Sequence, residues 1–278
     1  MSLTIYGANG SAYGSAIRGL YNSSQETMQS MEKLSTGKKI NSAEDDIAGL
    51  SLAGNLEKIA SLTDIVNLNA QTGLNMLETA EDALGGMVNV LQQIRSLSLQ
   101  AANGVYAETE RKMLQDSVGE LEKEIQQAYI SAKFGDRFLF SNQGSPVDPI
   151  ELQIGSDTDI NSRITIDTSF NLGSMDFSVT TVDMAKATID LLDSKIQEFN
   201  DARASLGAQA NKVSVVIDWQ KNKHIDYANA KSTIMDTDMA KTSGKEISSQ
   251  IKGQFAATVF QQTKNMNSSL VMQMYNNL

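Results

Sequence analysis

Proline is nearly absent from this chain of 278 residues, which contains only Pro146 and Pro149, close together near its middle. A proline inside a helix costs about 3 kcal/mol, because it lacks an N–H donor and its ring clashes with the preceding turn. The chain on either side of this pair is therefore free to be helical almost throughout. The sequence predicts a mainly α fold, in which two long helical arms are joined by a short irregular segment.

Charged residues are distributed unevenly between the ends and the interior of the chain. Residues 1–25 carry one charged side chain, Arg18, and residues 247–278 carry only Lys252 and Lys264, although 20% of the whole chain is charged. Most domains leave polar, frayed termini in water. Both ends of this chain are therefore expected to be removed from water in its functional state.

The charge balance and the missing residue types exclude several classes of protein. A net charge of −10 argues against nucleic-acid binding, which needs clustered Lys and Arg to neutralise phosphates. The chain has no cysteine and one histidine, His224, which removes the common nucleophile–base pairs and zinc sites. The sequence therefore predicts no enzyme activity, no catalytic residue, no metal and no cofactor. His224 is assigned to a helix surface and Trp219 to packing.

Two pairs of acidic residues, Asp45 with Asp46 and Asp236 with Asp238, require a separate interpretation. Paired carboxylates serve acid–base catalysis or metal binding in some proteins. Each pair here precedes a predicted helix, where side-chain oxygens cap free backbone N–H groups and face the positive end of the helix dipole. Capping and linker contacts are therefore the favoured interpretation, with the segment from Ser42 to Asp45 as a capping signal.

Apolar residues recur at heptad spacing in three predicted helices, which run from the capping signal to about residue 104, from 109 to 132, and from 181 to about 230. Such repeats predict a long antiparallel helical bundle or coiled coil. The first helix has Leu77, Leu84 and Leu91 at one heptad position and Ala80, Met87, Ile94 and Ala101 at the other. The second has Leu114, Val118, Leu121, Ile125 and Ala128. The third has Ile189, Leu192, Ile196, Phe199, Leu206, Ala210, Val213 and Ile217, with Arg203 as a polar exception.

Shorter helices are predicted at both ends, over residues 11–36 and from Asp238 onward. Gly37 stands where a glycine C-cap is expected, and Gly14 and Gly19 weaken the first helix by about 1 kcal/mol each. Neither end helix is strong enough to be stable by itself, so we expect the two to pack against each other.

The middle of the chain, residues 134–177, changes to an alternating pattern of apolar and polar residues. Residues 150–154 and 160–166 read as two strands, with turn residues between them, and predict a β-hairpin. A further strand is predicted at residues 177–180.

Three stretches resemble the conserved motifs of bacterial flagellins. Residues 34–49, LSTGKKINSAEDDIAG, are close to LSSGxRINSAxDDAAG; residues 234–240, IMDTDMA, are close to IxDxDxA; and residues 91–103 resemble the helix LQRxRELAVQSAN. The motif and linker residues are Leu34, Gly37, Asn41, Ser42, Asp45, Asp46, Asp236 and Asp238. The resemblance covers nearly the whole chain, without the large variable domain of long flagellins, so this is expected to be a short form.

The resemblance implies an inner domain built from both termini (residues 1–41 and 233–278), an outer rod (42–133 and 181–232) and a β-hairpin region at its tip (134–180). It implies a homopolymer, the filament of the extracellular bacterial flagellum, made from subunits exported unfolded without a cleaved signal peptide. The implied tube-lining residues are Ile17, Leu20, Ile247, Ile251, Phe255, Val259, Met266, Leu270 and Met274. Further implied partners are the filament cap, the hook-junction proteins and an export chaperone. We expect the ends to be disordered in the free subunit and ordered in the polymer.

The chain departs from the family at positions that face the innate-immune flagellin receptor. Gln93 and Ser117 stand where many members carry a charged Arg and Glu, while Leu97 is retained. The resemblance therefore implies weak recognition by that receptor. Two alternative functions remain open: a hook–filament junction protein, which copy number would distinguish from a filament subunit, and a secreted helical adhesin.

Overall fold

The computed structural model describes residues 2–142, 145–155 and 162–276, without the side chains of residues 2–12, 141–146, 267, 270, 271 and 273–276. The chain divides into two compact units, unit 1 (Met1–Lys58 with Tyr227–Leu278) and unit 2 (Ile59–Asp226). The helices are α1 (Ser2–Thr36), α2 (Ile47–Ala101), α3 (Glu108–Ser131), α4 (Val182–Met235) and α5 (Met239–Asn276). The strands are β1 (Lys133–Phe134), β2 (Arg137–Phe138), β3 (Ser141–Asn142), β4 (Ser145–Pro146), β5 (Ile150–Gln153) and β6 (Arg163–Ile166).

Unit 2 is a helical bundle whose core includes most of the predicted heptad residues, together with residues of the middle of the chain such as Phe140 and Ile166. Every heptad residue predicted for α2 is buried, and the buried heptad residues of α3 and α4 belong to the same apolar cluster. These are Leu77, Ala80, Leu84, Met87, Leu91, Ile94 and Ala101 from α2, Val118 and Ile125 from α3, and Leu192, Phe199, Leu206, Val213 and Ile217 from α4. The predicted mainly α bundle is therefore confirmed.

Three polar pairs across unit 2 give the direction in which α4 runs against α2. Arg95 contacts Asp193, Glu81 contacts Arg203, and Asp64 contacts His224. Residue numbers fall along α2 as they rise along α4, so the two helices are antiparallel, as predicted. His224 is half-buried on the flank of this pair, whereas Trp219 is 55% exposed with the Lys223 ammonium over its ring. The assignment of Trp219 to packing is therefore wrong.

The β-hairpin predicted in the middle of the chain is confirmed. Strands β5 and β6 are antiparallel, with Ile150 opposite Ile166 and Gln153 opposite Arg163. Most of the predicted turn lies outside the described residues. Two shorter hairpins, β1–β2 and β3–β4, precede this one, and Pro146 is paired with Ser141 in the second of them.

The strand predicted at residues 177–180 is wrong, because this segment is extended but pairs with side chains of α3 rather than with a strand. The backbone N–H groups of Phe177 and Val179 donate to the side chains of Glu122 and Gln115, at 2.7 and 2.6 Å. The Gln115 amide donates in turn to the Phe177 carbonyl, at 3.0 Å. Side chains of α3 therefore supply the partners that a neighbouring strand would supply.

Two predicted helix starts are corrected by the structure. Helix α1 begins at Ser2 rather than at residue 11, so its glycines do not delay it. Helix α2 begins at Ile47, so Ser42 is not its N-cap. Residues 42–45 instead form a turn, closed by the Asp45 N–H donating to the Ser42 carbonyl at 3.2 Å.

Candidate assembly surface

Helices α1 and α5, from opposite ends of the chain, pack against each other in unit 1, which confirms the predicted pairing. The Tyr13 and Phe260 rings lie 4.9 Å apart between centroids, and the Ser249 hydroxyl donates to Glu26 at 2.8 Å. Residue numbers rise along α1 while those of the contacting residues on α5 fall, so the two helices are antiparallel.

The seam between α1 and α5 consists mainly of small side chains. Among the side chains that the structure describes on these helices, the buried ones are Ala16, Ser23 and Ser30 on α1 and Ser249 and Thr263 on α5. A Cβ added to Gly253 would lie 2.6 Å from the Ser23 hydroxyl oxygen, a severe overlap. The helices therefore approach closely, but they bury few large apolar groups against each other.

Most of the large apolar side chains described on α5, unlike Phe260, are exposed rather than packed in this seam. Ile247, Ile251 and Phe255 recur every four residues, so they form one stripe along the helix. All three are exposed, and Phe255 is 70% exposed. Among the other residues predicted to line a tube, Ile17 and Met266 are exposed, and Leu20 and Val259 are half-buried. Leu270 and Met274 lie in α5, but their side chains are outside the described part of the chain.

Unit 1 exposes further large apolar side chains that the sequence prediction missed. These are Tyr21, Met28 and Met31 on α1, Ile47 and Leu52 on α2, and Met239 and Met272 on α5. Ile17, Tyr21 and Met28 follow spacings of four and seven, so a helical periodicity search of residues 17–31 would have found them. We call the exposed apolar side chains of α1 and α5 the assembly surface.

A short antiparallel contact joins the two linkers that lead into these helices. The Lys39 N–H donates to the Met235 carbonyl at 2.7 Å, and the Thr237 N–H donates to the Gly37 carbonyl at 2.9 Å. Gly37 has φ of 70°, a left-handed conformation that suits a glycine helix cap. Beside this contact, Ile40, Ala53 and Met235 form a small apolar cluster.

The acidic motif residues hold backbone turns rather than a reactive centre. Asp46 Oδ1 accepts the Gly49 N–H at 2.9 Å, and Asp238 Oδ1 accepts the Lys241 N–H at 3.0 Å, so these residues cap α2 and α5. Asp45 reaches back to the N–H groups of Asn41 and Ser42, at 2.9 and 3.2 Å. These two bonds lower the pKa of the Asp45 carboxyl.

The two remaining motif residues, Asp236 and Leu34, lie close to the linkers. Asp236 accepts a hydrogen bond from the Ser232 hydroxyl at 2.6 Å, and Leu34 is half-buried near the end of α1.

Among the described residues, no three His, Cys, Asp or Glu side chains are placed to hold a metal ion. No helix in the described ranges is both long and apolar enough to cross a membrane.

The residues predicted to face an immune receptor lie in unit 2. Gln93 on α2 and Ser117 on α3 are exposed, and Leu97 on α2 is half-buried. The Ser117 hydroxyl donates to the Met113 carbonyl of its own helix, at 3.2 Å.

Together these features define a mainly α structural protein with a heptad-packed bundle and paired end helices. Residues 9–145 match the family model for the bacterial flagellin N-terminal helical region. A flagellin of Halalkalibacterium halodurans is 30% identical over 219 residues, covering 77% of this chain and 79% of the relative. The flagellar filament 33 kDa core protein of Treponema phagedenis is 29% identical over 271 residues, covering 92% and 95%.

A solved structure, that of a putative flagellar hook-associated protein from Vibrio parahaemolyticus, is similar with a TM-score of 0.56. It covers 69% of this chain and 99% of that one, and at 14% identity it bears on the fold alone. The chain belongs to the bacterial flagellin family. It is a structural subunit of the flagellar filament, and flagellins are not enzymes.

Proposed function

We propose that the assembly surface on α1 and α5 is the contact through which copies of this chain polymerise, with these helices lining the inner part of the filament. The observation that carries the proposal is the outward stripe of Ile247, Ile251 and Phe255 on the part of α5, from Ile247 onward, whose only charged residues are Lys252 and Lys264. A monomer rarely exposes such a continuous apolar patch unless a partner covers it.

The energies favour neighbouring copies as that partner. Burying one large apolar side chain contributes about 1.5–3 kcal/mol, so the five exposed residues predicted to line the tube contribute about 10 kcal/mol per subunit. The small residues of the seam contribute much less, so the α1–α5 contact alone offsets little of the entropy lost when the two helices become ordered. Neighbouring copies that cover the assembly surface supply the apolar burial that the isolated pair of helices lacks. We therefore infer that the end helices are disordered in the free subunit and become ordered in the filament.

A substitution at Phe255 tests this proposal. Phe255→Ser removes an exposed apolar group, so it leaves the helix content of the soluble chain unchanged. The loss of 1.5–3 kcal/mol per contact raises the critical concentration for polymerisation at least about tenfold. Phe255→Leu, which keeps an apolar side chain, is the matched control and stays within about threefold of the parent. Sedimentation of the polymer measures both.

Deletion of residues 247–278 is the stronger form of the same test. We expect the shortened chain to remain soluble, with the heptad bundle of unit 2 intact by circular dichroism. Filaments of normal appearance from this chain in electron micrographs, or normal sedimentation of Phe255→Ser, would show that the assembly surface is not the contact.

We assign the remaining segments by the same reasoning. Residues 1–41 and 233–278 form the inner domain with its linkers, 42–133 and 181–232 the outer helical domain, and 134–180 its hairpin region. The filament cap, the hook-junction proteins and an export chaperone are the proposed partners during growth. Export without a cleaved signal peptide predicts that mass spectrometry of purified filaments finds peptides from residues 2–18.

Recognition by the innate-immune flagellin receptor is proposed to be weak. The exposed residues Gln93 and Ser117 replace a positive and a negative contact that the family resemblance leads one to expect. In a receptor reporter assay we expect the parent chain to signal less than an enteric flagellin, and the double variant Q93R/S117E to signal more than the parent. A parent response equal to that of the enteric protein contradicts the proposal.

A further inference from the structure

A cleft of about 180 Å³ lies in unit 1, between the second half of α1, the linker after it and the start of α5. Four lysines line this cleft: Lys33, Lys39, Lys241 and Lys245. The chain as a whole has 33 acidic and 23 basic residues, so this concentration of positive charge runs against its overall balance. The Lys39 ammonium donates to the Thr233 carbonyl at 3.0 Å, and the like charges gathered around the cleft repel one another unless an anion lies among them.

The carboxylates near the cleft pair with only one of its four lysines, Lys33. Asp45 is 4.0 Å from Lys33, and Asp238 accepts the backbone N–H of Lys241 as the cap of α5. Glu26 accepts the Ser249 hydroxyl, and its pKa is lowered by that bond and then by the charges of Lys252 and Lys245. Within the described part of the chain, Lys241 and Lys245 have no carboxylate within ion-pair distance.

A serine hydroxyl in the wall of the cleft also lacks a partner within the described part of the chain. Ser30 is 3% exposed, lines the cleft, and makes no hydrogen bond among the described residues. Thr242 lines the same cleft, and its hydroxyl is 2.9 Å from that of Thr237. Only one of these two oxygens donates to the other, so one hydrogen remains free.

We propose that this cleft binds a single small oxyanion of the phosphate or sulfate class. Its four oxygens accept hydrogen bonds from several directions, which suits mobile ammonium groups together with the Ser30 hydroxyl. Liquid water occupies about 30 Å³ per molecule, so the cleft holds a phosphate with a few waters. An anion bound here ties α1 and its linker to α5, and stabilises the folded form of unit 1 by mass action.

The test uses filaments, because unit 1 is proposed to be ordered there. Filaments of the parent chain are sedimented with radiolabelled phosphate at constant ionic strength, and phosphate is counted per pelleted subunit. We expect saturable uptake approaching one phosphate per subunit, displaced by sulfate but not by an equal ionic strength of chloride.

Three variants resolve the residues involved. The double variant K241Q/K245Q lowers the affinity for phosphate at least about tenfold, because it removes two charge-assisted donors. Ser30→Ala lowers it about threefold or more without changing the charge. The control K186Q/K212Q removes two exposed lysines of α4 in unit 2 and leaves uptake unchanged.

The pellet itself reports on assembly, so loss of the polymer and loss of phosphate binding are separate readings. If K241Q/K245Q does not polymerise, phosphate uptake by Ser30→Ala filaments and competition by sulfate test whether the cleft binds the anion. If the parent chain does not polymerise, the proposed function fails, and equilibrium dialysis of the soluble chain tests the site instead. Uptake that rises linearly with phosphate, or that is equal in the parent, K241Q/K245Q and Ser30→Ala, overturns the proposal.

Discussion

Arg203 on α4 donates through Nη2 to Glu81 Oε1 on α2, at 2.8 Å, from a position in the middle of an apolar seam. Its neighbours along the seam, Phe199 and Leu206, are buried. The guanidinium group lies over Gly85, where an added Cβ would be 3.7 Å away. Arg203 Nε is buried without a hydrogen-bond partner in the part of the chain that the structure describes.

The first prediction concerns the two partners of this ion pair. Arg203→Met keeps an unbranched side chain in the seam and removes the unpaired N–H, so we expect the free energy of unfolding to stay level or rise by up to about 1 kcal/mol. Glu81→Ala leaves the guanidinium without its carboxylate and costs about 1 kcal/mol. Urea titration of the soluble chain measures both. A larger loss in Arg203→Met than in Glu81→Ala contradicts this account.

The second prediction is a pH dependence that originates at Glu122. Burial raises the pKa of its carboxyl; the Phe177 N–H bond opposes this shift, and nearby Asp176 adds to it. A carboxyl whose pKa is raised by folding contributes stability at low pH, and this contribution is lost as the pH rises through the folded-state pKa. Glu122→Gln still accepts the Phe177 N–H but does not titrate.

We therefore expect Glu122→Gln to gain stability relative to the parent as the pH is raised from about 4 to about 7. Urea titrations at several pH values follow the difference between the two proteins. Glu124→Gln, an exposed position on the same helix, is the control. A parent-to-variant difference that is constant with pH would be evidence against a buried, ionised Glu122.

The third prediction concerns the closeness of α1 and α5. Gly253→Ala places a methyl group 2.6 Å from the Ser23 hydroxyl oxygen, so either Ser23 leaves its rotamer or the helices separate, at a cost of about 1–3 kcal/mol. We expect the critical concentration for polymerisation to rise about fivefold or more. Ser23→Ala removes the overlapping oxygen, and the double variant S23A/G253A should recover most of the loss in the sedimentation assay. Equal critical concentrations for G253A and S23A/G253A would contradict a clash between residues 23 and 253.

The fourth prediction compares two glycines in different conformations. Gly37 has φ of 70°, so Gly37→Ala costs about 1 kcal/mol and raises the critical concentration about fivefold. Gly119 lies inside α3, with no atom close to an added Cβ. Gly119→Ala should therefore raise the stability of the soluble chain by up to about 1 kcal/mol. A similar loss at both positions would contradict the assigned role of Gly37.

The sequence predicted those features that depend on a repeated pattern. Heptad spacing identified the core of unit 2, because burial on one face of a helix imposes that period, and alternation identified the β5–β6 hairpin. Hairpins of two-residue strands, such as β1–β2, are too short to show a period. The extended segment at Phe177 was taken for a strand because its partners, Gln115 and Glu122, are side chains distant in the sequence.

Prediction at the assembly surface was partial for a related reason. The weakly charged ends indicated burial, but they did not say which residues face the other end helix and which face outward. Small residues such as Ser23 and Ala16 occupy the seam because two helix backbones approach closely there. A prediction based on hydrophobicity alone would place Ile251 or Phe255 in the seam. Ser42 was placed at the wrong helix start because Asp46, four residues later, offers an equally good cap.

The small-residue seam between α1 and α5 has a kinetic consequence. On the proposal that the end helices are disordered in the free subunit, their own contact gains too little to fold them in isolation, so the first few subunits must order their ends and associate in one improbable event. A subunit that meets an existing filament end finds a ready-made template and avoids that barrier. A solution of free subunits should therefore stay supersaturated for a long lag time, and short filament fragments added as seeds should abolish the lag.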